Sequence, residues 1–553
     1  MRRRPERGFT LIELVLALSI VAIMVTMLFG GLRVGLRAWQ RGEERAAVLQ
    51  HARSLTQLLQ EALAGTYAYR GRADEATPAE VLMFQGGADR LSFVTVSPPI
   101  SLPAPIPFVA VTLSMDGGKA PGLAIREKAL PNFNPFEAVA PSAVDPSITA
   151  IRFRYLRDEG AWEGAYRAPS RGGHAHRDDE RARPAGASDH GADPGELAMK
   201  RHDQVRLGPG ARLARNLGQS LRRLATDQSG FALLAVTLVL ALLGVVVTEL
   251  AFSMRLEAAM VRSYKDAILA RHLAEAGIQQ AIREVLSDST IQGLDEEGQV
   301  VFYQVAQTGA KPKALPKLPR SHVQLGPGEF SYRITDEEGR LNLNAGQRGL
   351  LDKLLTTLGV DKQERDVVTD SLEDWKDANE THRINGAESD YYLQLPVPYR
   401  ARDSALQDIT ELLQIKGITP ELYYGHEDRP GLVDLVTARG RGTININTAP
   451  KIILQAAGLS DAEIDDVLQA RAVSPYSAVP TRGAAAVGGR TRFSVSSTTF
   501  RIEAEGLIGG EPRARLLALV QRMVGPQSAV PTLTVYTWRP LPLRSPVKEG
   551  EAK

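Results

Sequence analysis

The chain has 553 residues, enough for about two to four domains. Its 66 Lys and Arg nearly balance 64 Asp and Glu, so no global basic surface marks it as a nucleic-acid binder. It has no cysteine, which excludes disulfide frameworks, thiolate metal sites and cysteine nucleophiles.

Arg2, Arg3, Arg4 and Arg7 lead to Gly8-Phe9-Thr10-Leu11-Ile12-Glu13 and then to an apolar run reaching Leu32, whose only charge is Glu13. About 18–20 apolar residues span a bilayer as a helix, and flanking Arg marks the cytoplasmic edge. A transmembrane helix is expected over about residues 9–32, after a short leader at 1–8. Beyond Arg33 the pattern turns amphipathic. Leu36, Trp39, Val48, Leu55, Leu58, Leu59 and Leu63 recur at helical spacing, and Gly65 supplies a stop. Alternating stretches at 91–96, 108–113, 122–126 and 151–155, separated by Pro- and Gly-rich turns, predict a small antiparallel sheet packed on that helix.

Residues 167–198 contain no Ile, Val or Phe and cannot bury enough apolar surface to offset the entropy of ordering. They are expected to be a disordered linker, with His174, His176 and His190 incidental to it. Residues 199–230 then repeat the N-terminal plan: Met199, Lys200 and Arg201, further Arg at 212, 215, 222 and 223, and a Gly230-Phe231 junction. From Phe231 to Thr248 there is no charge, so a second transmembrane helix is expected over about 231–250. An amphipathic continuation runs through Met254, Met260, Tyr264, Ile268, Leu269, Leu273, Ile278, Ile282 and Val285. A strand at 330–335 follows, then a mostly helical block over 347–425. The segment 442–450 opens a further helical stretch to about 471, and strands return at 493–495, 500–504 and 514–522. The expected fold class is α+β. It has two units, 9–166 and 231–553, each a long helix on a small antiparallel sheet. A large helical insert, over about 345–475, interrupts the second.

No nucleophile triad, phosphate loop or H-E-x-x-H motif occurs, and the small-residue stretch 483–489 lacks the lysine of a phosphate loop. Segments 414–419 and 457–460 are similar to the hairpins of DNA-binding helix-hairpin-helix modules. Both lack the full Gly-x-Gly turn and a basic surround, and are read as helical packing modules. The acidic segment 374–390 carries more chemistry. Counting Asp377 as position one, Asn379 and Thr381 fall at three and five, Ile384 at the apolar place eight, and Glu388 at twelve. That is the oxygen-ligand spacing of a calcium loop. His382 stands where an EF-hand has glycine, so the turn must differ; Asp374 and Asp390 are further candidate ligands.

The stretch Gly8-Phe9-Thr10-Leu11-Ile12-Glu13 resembles the class III signal of type IV pilins and type II secretion pseudopilins. The resemblance implies that a membrane prepilin peptidase cuts after Gly8 and that Phe9 is methylated. It also implies that Glu13 neutralises the N-terminal amine of the next subunit. Through 153–156 and Trp162 the first unit is similar to a J-type minor pseudopilin. Over about 200–540 the chain is similar to the K-type, implying cleavage after Gly230 to expose Phe231. Ala235 stands in place of the assembly glutamate, an absence typical of the K-type. An Asp-Trp start and Gly386-Ala387-Glu388 before Tyr391 and Tyr392 are also similar to the K-type, whose α-domain binds calcium.

A structural role follows from the resemblance, not an enzymatic one. The expectation is two minor pseudopilins forming or initiating the tip of a pseudopilus for export of folded proteins. They would be anchored in the inner membrane with their globular domains in the periplasm. The implied partners are other minor pseudopilins, the major pseudopilin, prepilin peptidase, the inner-membrane secretion platform and the secreted proteins; no nucleic acid is expected. The alternatives are the minor pilins of a type IV pilus and a membrane-anchored DNA-uptake receptor using the helices at 405–471. One conflict remains in the linear chain. Both basic ends belong on the cytoplasmic side, yet nothing in 167–229 is apolar enough to cross back. The chain reads as two adjacent genes joined, with Met199 opening the second leader and two separate mature subunits as the product.

Overall fold

The structure is a computed structural model. It describes residues 50–167 with breaks at 76–78, 117–120, 138–139, 157–161 and 164–165. It also describes residues 229–543 with breaks at 307–310, 346–347, 427–428, 481–492 and 524–530, besides a few helical positions before residue 50. The chain divides into two compact units, Met1–Ala104 with Phe108–Ala168, and Pro105–Pro107 with Pro169–Lys553. Gly8, Phe9 and Glu13, nearly all of the expected span 9–32, the linker from 168 on and the loop 483–489 lie outside the described residues. Among the described residues no helix is long and apolar enough to cross a membrane.

In the first unit, helix α1 (residues 50–64) turns Leu55, Leu58 and Leu59 half inward and buries Ala62, the i, i+3, i+4, i+7 face of an amphipathic helix. Val48 and Leu63, expected on that face, are 68% and 44% exposed. Leu63 sits one residue, and so about 100° of helix, away from Ala62. The helix stops at Gly65, where a Cβ would meet Thr95 and Ser97 side chains at 2.8–2.9 Å. Thr95 Oγ1 donates to Ala62 O at 2.7 Å and fastens the helix end to the sheet.

That sheet comprises β1 (Phe84–Gly86), β2 (Arg90–Thr95), β3 (Val109–Asp116), β4 (Gly122–Ala129), β5 (Ala143–Asp145) and β6 (Tyr166–Arg167), in the order β6-β1-β2-β3-β4-β5. Three of the four expected strands form. The stretch at 151–155 contributes only Tyr155–Leu156, which pairs with Trp162–Glu163 in a separate ribbon. Its backbone crosses the β1–β2 turn instead: Phe153 N donates to Ala88 O at 2.8 Å and the Tyr155 hydroxyl to Gly87 O at 3.0 Å. The unexpected strands β1, β5 and β6 are two or three residues long, too short to show alternation. On β4, Glu127 is 7% exposed, and one carboxylate oxygen accepts from Ile100 N at 2.8 Å. Burial pushes its carboxyl up to about 7.

The second unit is built on α2 (Ser229–Val285), a helix of 57 residues. Its last four turns bury Leu273, Ala274, Ile278, Ala281 and Val285 against a sheet in the order β7-β8-β9-β10-β11. The strands are β7 (Val323–Leu325), β8 (Gly328–Asp336), β9 (Thr499–Ile508), β10 (Glu511–Met523) and β11 (Thr532–Leu541), all antiparallel. The line Ile334–Ile502–Ala518–Trp538 runs straight across the register. Gly506 on β9 allows the closest approach, because a Cβ there would overlap the Ala270 carbonyl. N-terminal to Ala270 the helix outruns the sheet. Met254, Met260, Tyr264 and Ile268, expected to face a core, are 62%, 47%, 56% and 40% exposed. Periodicity identifies a face suited to burial; it does not supply the covering element.

Between β8 and β9 the chain inserts a helical domain: α3 (Arg348–Thr357), α4 (Lys362–Lys376), α5 (Ser389–Tyr392), a 3₁₀ helix at Ile409–Gln414, α6 (Pro420–Tyr424), α7 (Lys451–Ala456) and α8 (Asp461–Val473). It opens through two segments of like sequence, Leu-Asn-Leu-Asn-Ala at 341–345 and Ile-Asn-Ile-Asn-Thr-Ala at 444–449. Asn342 Oδ1 accepts from Asn344 N, and Asn445 Oδ1 accepts from Asn447 N, the same side-chain turn. Each segment then enters a pair of short helices, α3–α4 and α7–α8, joined through Gly359 (φ 75°) and Gly458 (φ 97°). This internal repeat is visible in the sequence once the structure aligns its two halves. The 414–419 segment is likewise a turn between helices, with Gly417 at φ 88°. Its Lys416 amine is engaged internally, donating to Gly386 O at 2.9 Å.

Candidate metal centre in the helical insert

Helix α4 places Val368, Leu372 and Trp375 on one inward face, all buried, and so carries Asp374 into the interior with them. Asp377 caps the helix C-terminus. The chain loops out and returns at Glu388, directly before α5, whose Tyr392 packs on Trp375 with ring centroids 5.2 Å apart. Tyr399 stacks on Tyr392 at 5.4 Å, and Glu411 accepts from Trp375 Nε1 at 3.3 Å. This aromatic block fixes both ends of the 377–388 loop.

Inside the loop, Asp374, Asp377 and Glu388 each bring a carboxylate oxygen within 4.8 Å of the others. Asp374 is 0% and Glu388 1% exposed. Gly386 is obligatory, since a Cβ there would overlap Asp374 Oδ2. Asp370 Oδ2 accepts from Asn385 Nδ2 at 3.0 Å, and Lys416 holds the Asn385 and Gly386 carbonyls, so the returning strand of the loop is fixed from both sides. Arg383 Nη1 donates to Asp374 Oδ1 at 2.5 Å and to Asp377 Oδ2 at 2.8 Å. Hydrogen bonding to Asp377, then to Asp374, holds its guanidinium above the ordinary arginine range.

Glu388 is the anomaly. Among the described residues, neither of its carboxylate oxygens has a hydrogen-bond partner. Burial, then the charges of Asp374, Asp377, Asp403 and Glu380, push its carboxyl up to about 8. A buried carboxylate without donors is expensive, and buried charges in proteins are paired or bind metal. With oxygen donors alone the set suits a hard divalent cation such as calcium, not zinc or copper. The residues present fit that group.

Of the sequence candidates, Asp374, Asp377 and Glu388 come together. Asn379 and Thr381 are exposed and serve the loop itself: Asn379 Nδ2 donates to Asp377 Oδ1 at 2.5 Å and Thr381 N to Asn379 Oδ1 at 2.9 Å. Asp390 is exposed, accepts from Tyr391 N at 2.8 Å, and stays out of the cluster. Ile384 is 99% exposed, the reverse of the inward apolar place in an EF-hand. Where an EF-hand turns at a glycine, this chain has His382, and its turn falls at 383–386, closed by Gly386 N donating to Arg383 O at 3.1 Å. Asp403 was absent from the sequence expectations. It lies 15 residues beyond Glu388 with φ 54°, its amide donating to Trp375 O at 3.0 Å, and no spacing rule reaches it. Gly230, Phe231 and Ala235 fall in the backbone of α2, with their side chains outside the described residues.

The fold and centre define a helix-and-sheet protein with buried charged groups, most of them paired, and one three-carboxylate cluster in its helical insert. Residues 334–425 match the family model "Type II secretion system (T2SS), protein K", and residues 3–29 match "Prokaryotic N-terminal methylation motif". A type II secretion system protein K of Klebsiella pneumoniae is 30% identical over 276 residues, 46% of this chain and 78% of that protein. The protein K of Pseudomonas aeruginosa is 26% identical over 319 residues, 53% and 89% of the respective chains. That of Pectobacterium carotovorum is 32% identical over 111 residues, 17% of this chain and 34% of that protein. A chain in the crystal structure of the GspK-GspI-GspJ complex from enterotoxigenic Escherichia coli is 21% identical, covering 52% of this chain and 100% of its own, at a TM-score of 0.38. The chain belongs to the type II secretion system protein K family. It is a minor pseudopilin, a structural component and not an enzyme.

Proposed function

We propose that the chain joins two pilin-like subunits, a J-type minor pseudopilin and a K-type one, that form or initiate the tip of a type II secretion pseudopilus. The observation that carries this reading is the placement of two signatures in different units: the methylation motif at 3–29 lies in the first, the protein K match at 334–425 in the second. The repeat of basic run, Gly-Phe junction and apolar run at 230–248 supports it. On this reading prepilin peptidase cuts after Gly8 and Gly230, and both subunits are anchored in the inner membrane with periplasmic domains. Glu13 pairs with a neighbouring N-terminus, and Ala235, unable to do so, suits a subunit with nothing above it. The partners are the other minor pseudopilins, the major pseudopilin, the secretion platform and secreted proteins. N-terminal sequencing of the mature species should yield Phe9 and Phe231, and immunoblots of membranes should show two bands. One band with an intact leader would overturn it.

Calcium is the second part of the proposal, held by Asp374, Asp377 and Glu388. The donorless carboxylate of Glu388 supports it. In the bound state the ion would supply the positive charge that this side chain lacks, fixing the loop against α5. Calcium should raise the melting temperature of the full chain relative to chelator; equal values would refute it.

A further inference from the structure

We propose that Arg383 is a built-in cation of the centre that competes with the metal, so that calcium must expel its guanidinium to bind. The inference rests on the calcium reading above. A single nitrogen, Arg383 Nη1, lies 2.5 Å from Asp374 Oδ1 and 2.8 Å from Asp377 Oδ2. Calcium takes its oxygens at about 2.3–2.6 Å, so nitrogen and ion would claim the same volume between the same two carboxylates. The cluster is too small for both, its ligand atoms lying within 4.8 Å of one another.

The guanidinium is also an incomplete substitute. It satisfies Asp374 and Asp377 but gives nothing to Glu388, whose oxygens stay without donors. A divalent ion could take all three carboxylates and carries twice the charge. Arg383 can leave without disturbing the fold: its side chain is 39% exposed against 0% for Asp374, so it enters from the solvent side. Its backbone amide, which donates to Asp374 Oδ2 at 3.0 Å, holds the loop independently of the side chain. The consequence is a domain that remains paired and folded when calcium is scarce. Its site fills only when calcium is abundant, because each binding event must also break two charge-assisted hydrogen bonds.

The test is calcium titration by calorimetry on the full chain in detergent, stripped with chelator, with magnesium as control. Arg383→Gln keeps a polar side chain on the same three-carbon stem but removes the charge and the reach of the guanidinium. It should bind calcium at least tenfold tighter, about 1.4 kcal/mol, and melt lower than wild type in chelator. Arg383→Lys, which keeps the charge but loses the fork, should fall between, and serves if the Gln variant does not fold without calcium. Equal or weaker calcium binding by both variants, with wild-type binding intact, refutes the competition and leaves the calcium reading standing. No calcium binding by wild type or variants overturns both.

Discussion

Where the sheet of the second unit meets the helical insert, Asp336, Glu337 and Glu338 are 7%, 1% and 2% exposed. Asp336 accepts from Ser497, Thr448 and Asn445 at 2.6, 2.6 and 3.0 Å. Glu337 lies 2.8 Å from Arg501 and 3.2 Å from Arg340. Glu338 lies 3.0 Å from Arg441 and accepts from the Thr498 hydroxyl at 2.6 Å. Burial would raise Glu337, but Arg501 and Arg340 hold it below the ordinary carboxylate range. In the loop after α4, Glu388 is just as buried at 1% and has no donor among the described residues. The first group joins two parts of one unit; the second leaves a buried carboxylate without a partner among the described residues. Burial alone does not separate architecture from site. Partnering by the chain's own donors and cations does.

The comparison can be broken most forcefully at the satisfied end. Arg501→Ala strips the nearest cation from Glu337 and should cost about 3–5 kcal/mol, lowering the melting temperature of the full chain by roughly 10 °C. A loss under about 1 kcal/mol would mean the junction charges contribute little, and the contrast would fail. At the open end, Asp377→Ala combined with Glu388→Ala should abolish the calcium-dependent rise in melting temperature. That rise corresponds to about 2.7 kcal/mol at a hundredfold excess over Kd. Persistence of the rise in the double variant would place the ion elsewhere.

Glu127 of the first unit is the intermediate case, with one oxygen accepting from Ile100 N and the other without a donor. Its carboxyl, pushed up from 4.5 to about 7 by burial, contributes stability that is present below about pH 4.5 and lost as pH rises through 7. Glu127→Gln should remove that slope and stabilise the first unit by on the order of 1–2 kcal/mol at pH 8. Parallel pH profiles for wild type and variant would show that the burial costs nothing. The smallest effect is expected at Ile384→Ser. A side chain 99% exposed should change stability by less than about 0.5 kcal/mol and leave calcium binding alone. A loss of calcium binding there would restore the EF-hand geometry that the loop lacks.

Much of the layout is local chemistry and is written in the chain. Each Gly-Phe junction, each apolar run and the alternation that marks the strands at 91–95, 109–113 and 500–504 depends on neighbours within a few residues. So does the pairing of Asp377 with Glu388 at the two ends of one loop. What the sequence left open depends on distant partners. The segment at 151–154 has strand alternation, but Ala88 and Gly87 capture it as a crossing strap. Met254 to Ile268 keep helical periodicity where the sheet no longer reaches. Asn379, Thr381 and Asp390 carry ligand-type oxygens at good spacing, but the loop uses Asn379 and Asp390 in its own turns and leaves all three side chains at the surface.

By itself the sequence determined the repeat of basic run, Gly-Phe junction and apolar run, the charge asymmetry around each apolar run and the spacing of the candidate loop, because these are properties of order and composition. Only the tertiary structure decided which carboxylates are satisfied. A donor for Asp336 comes from Ser497, 161 residues away, and among the described residues none comes to Glu388. Whether a buried charge finds a partner depends on which remote segments the fold packs beside it, and spacing along the chain does not encode that.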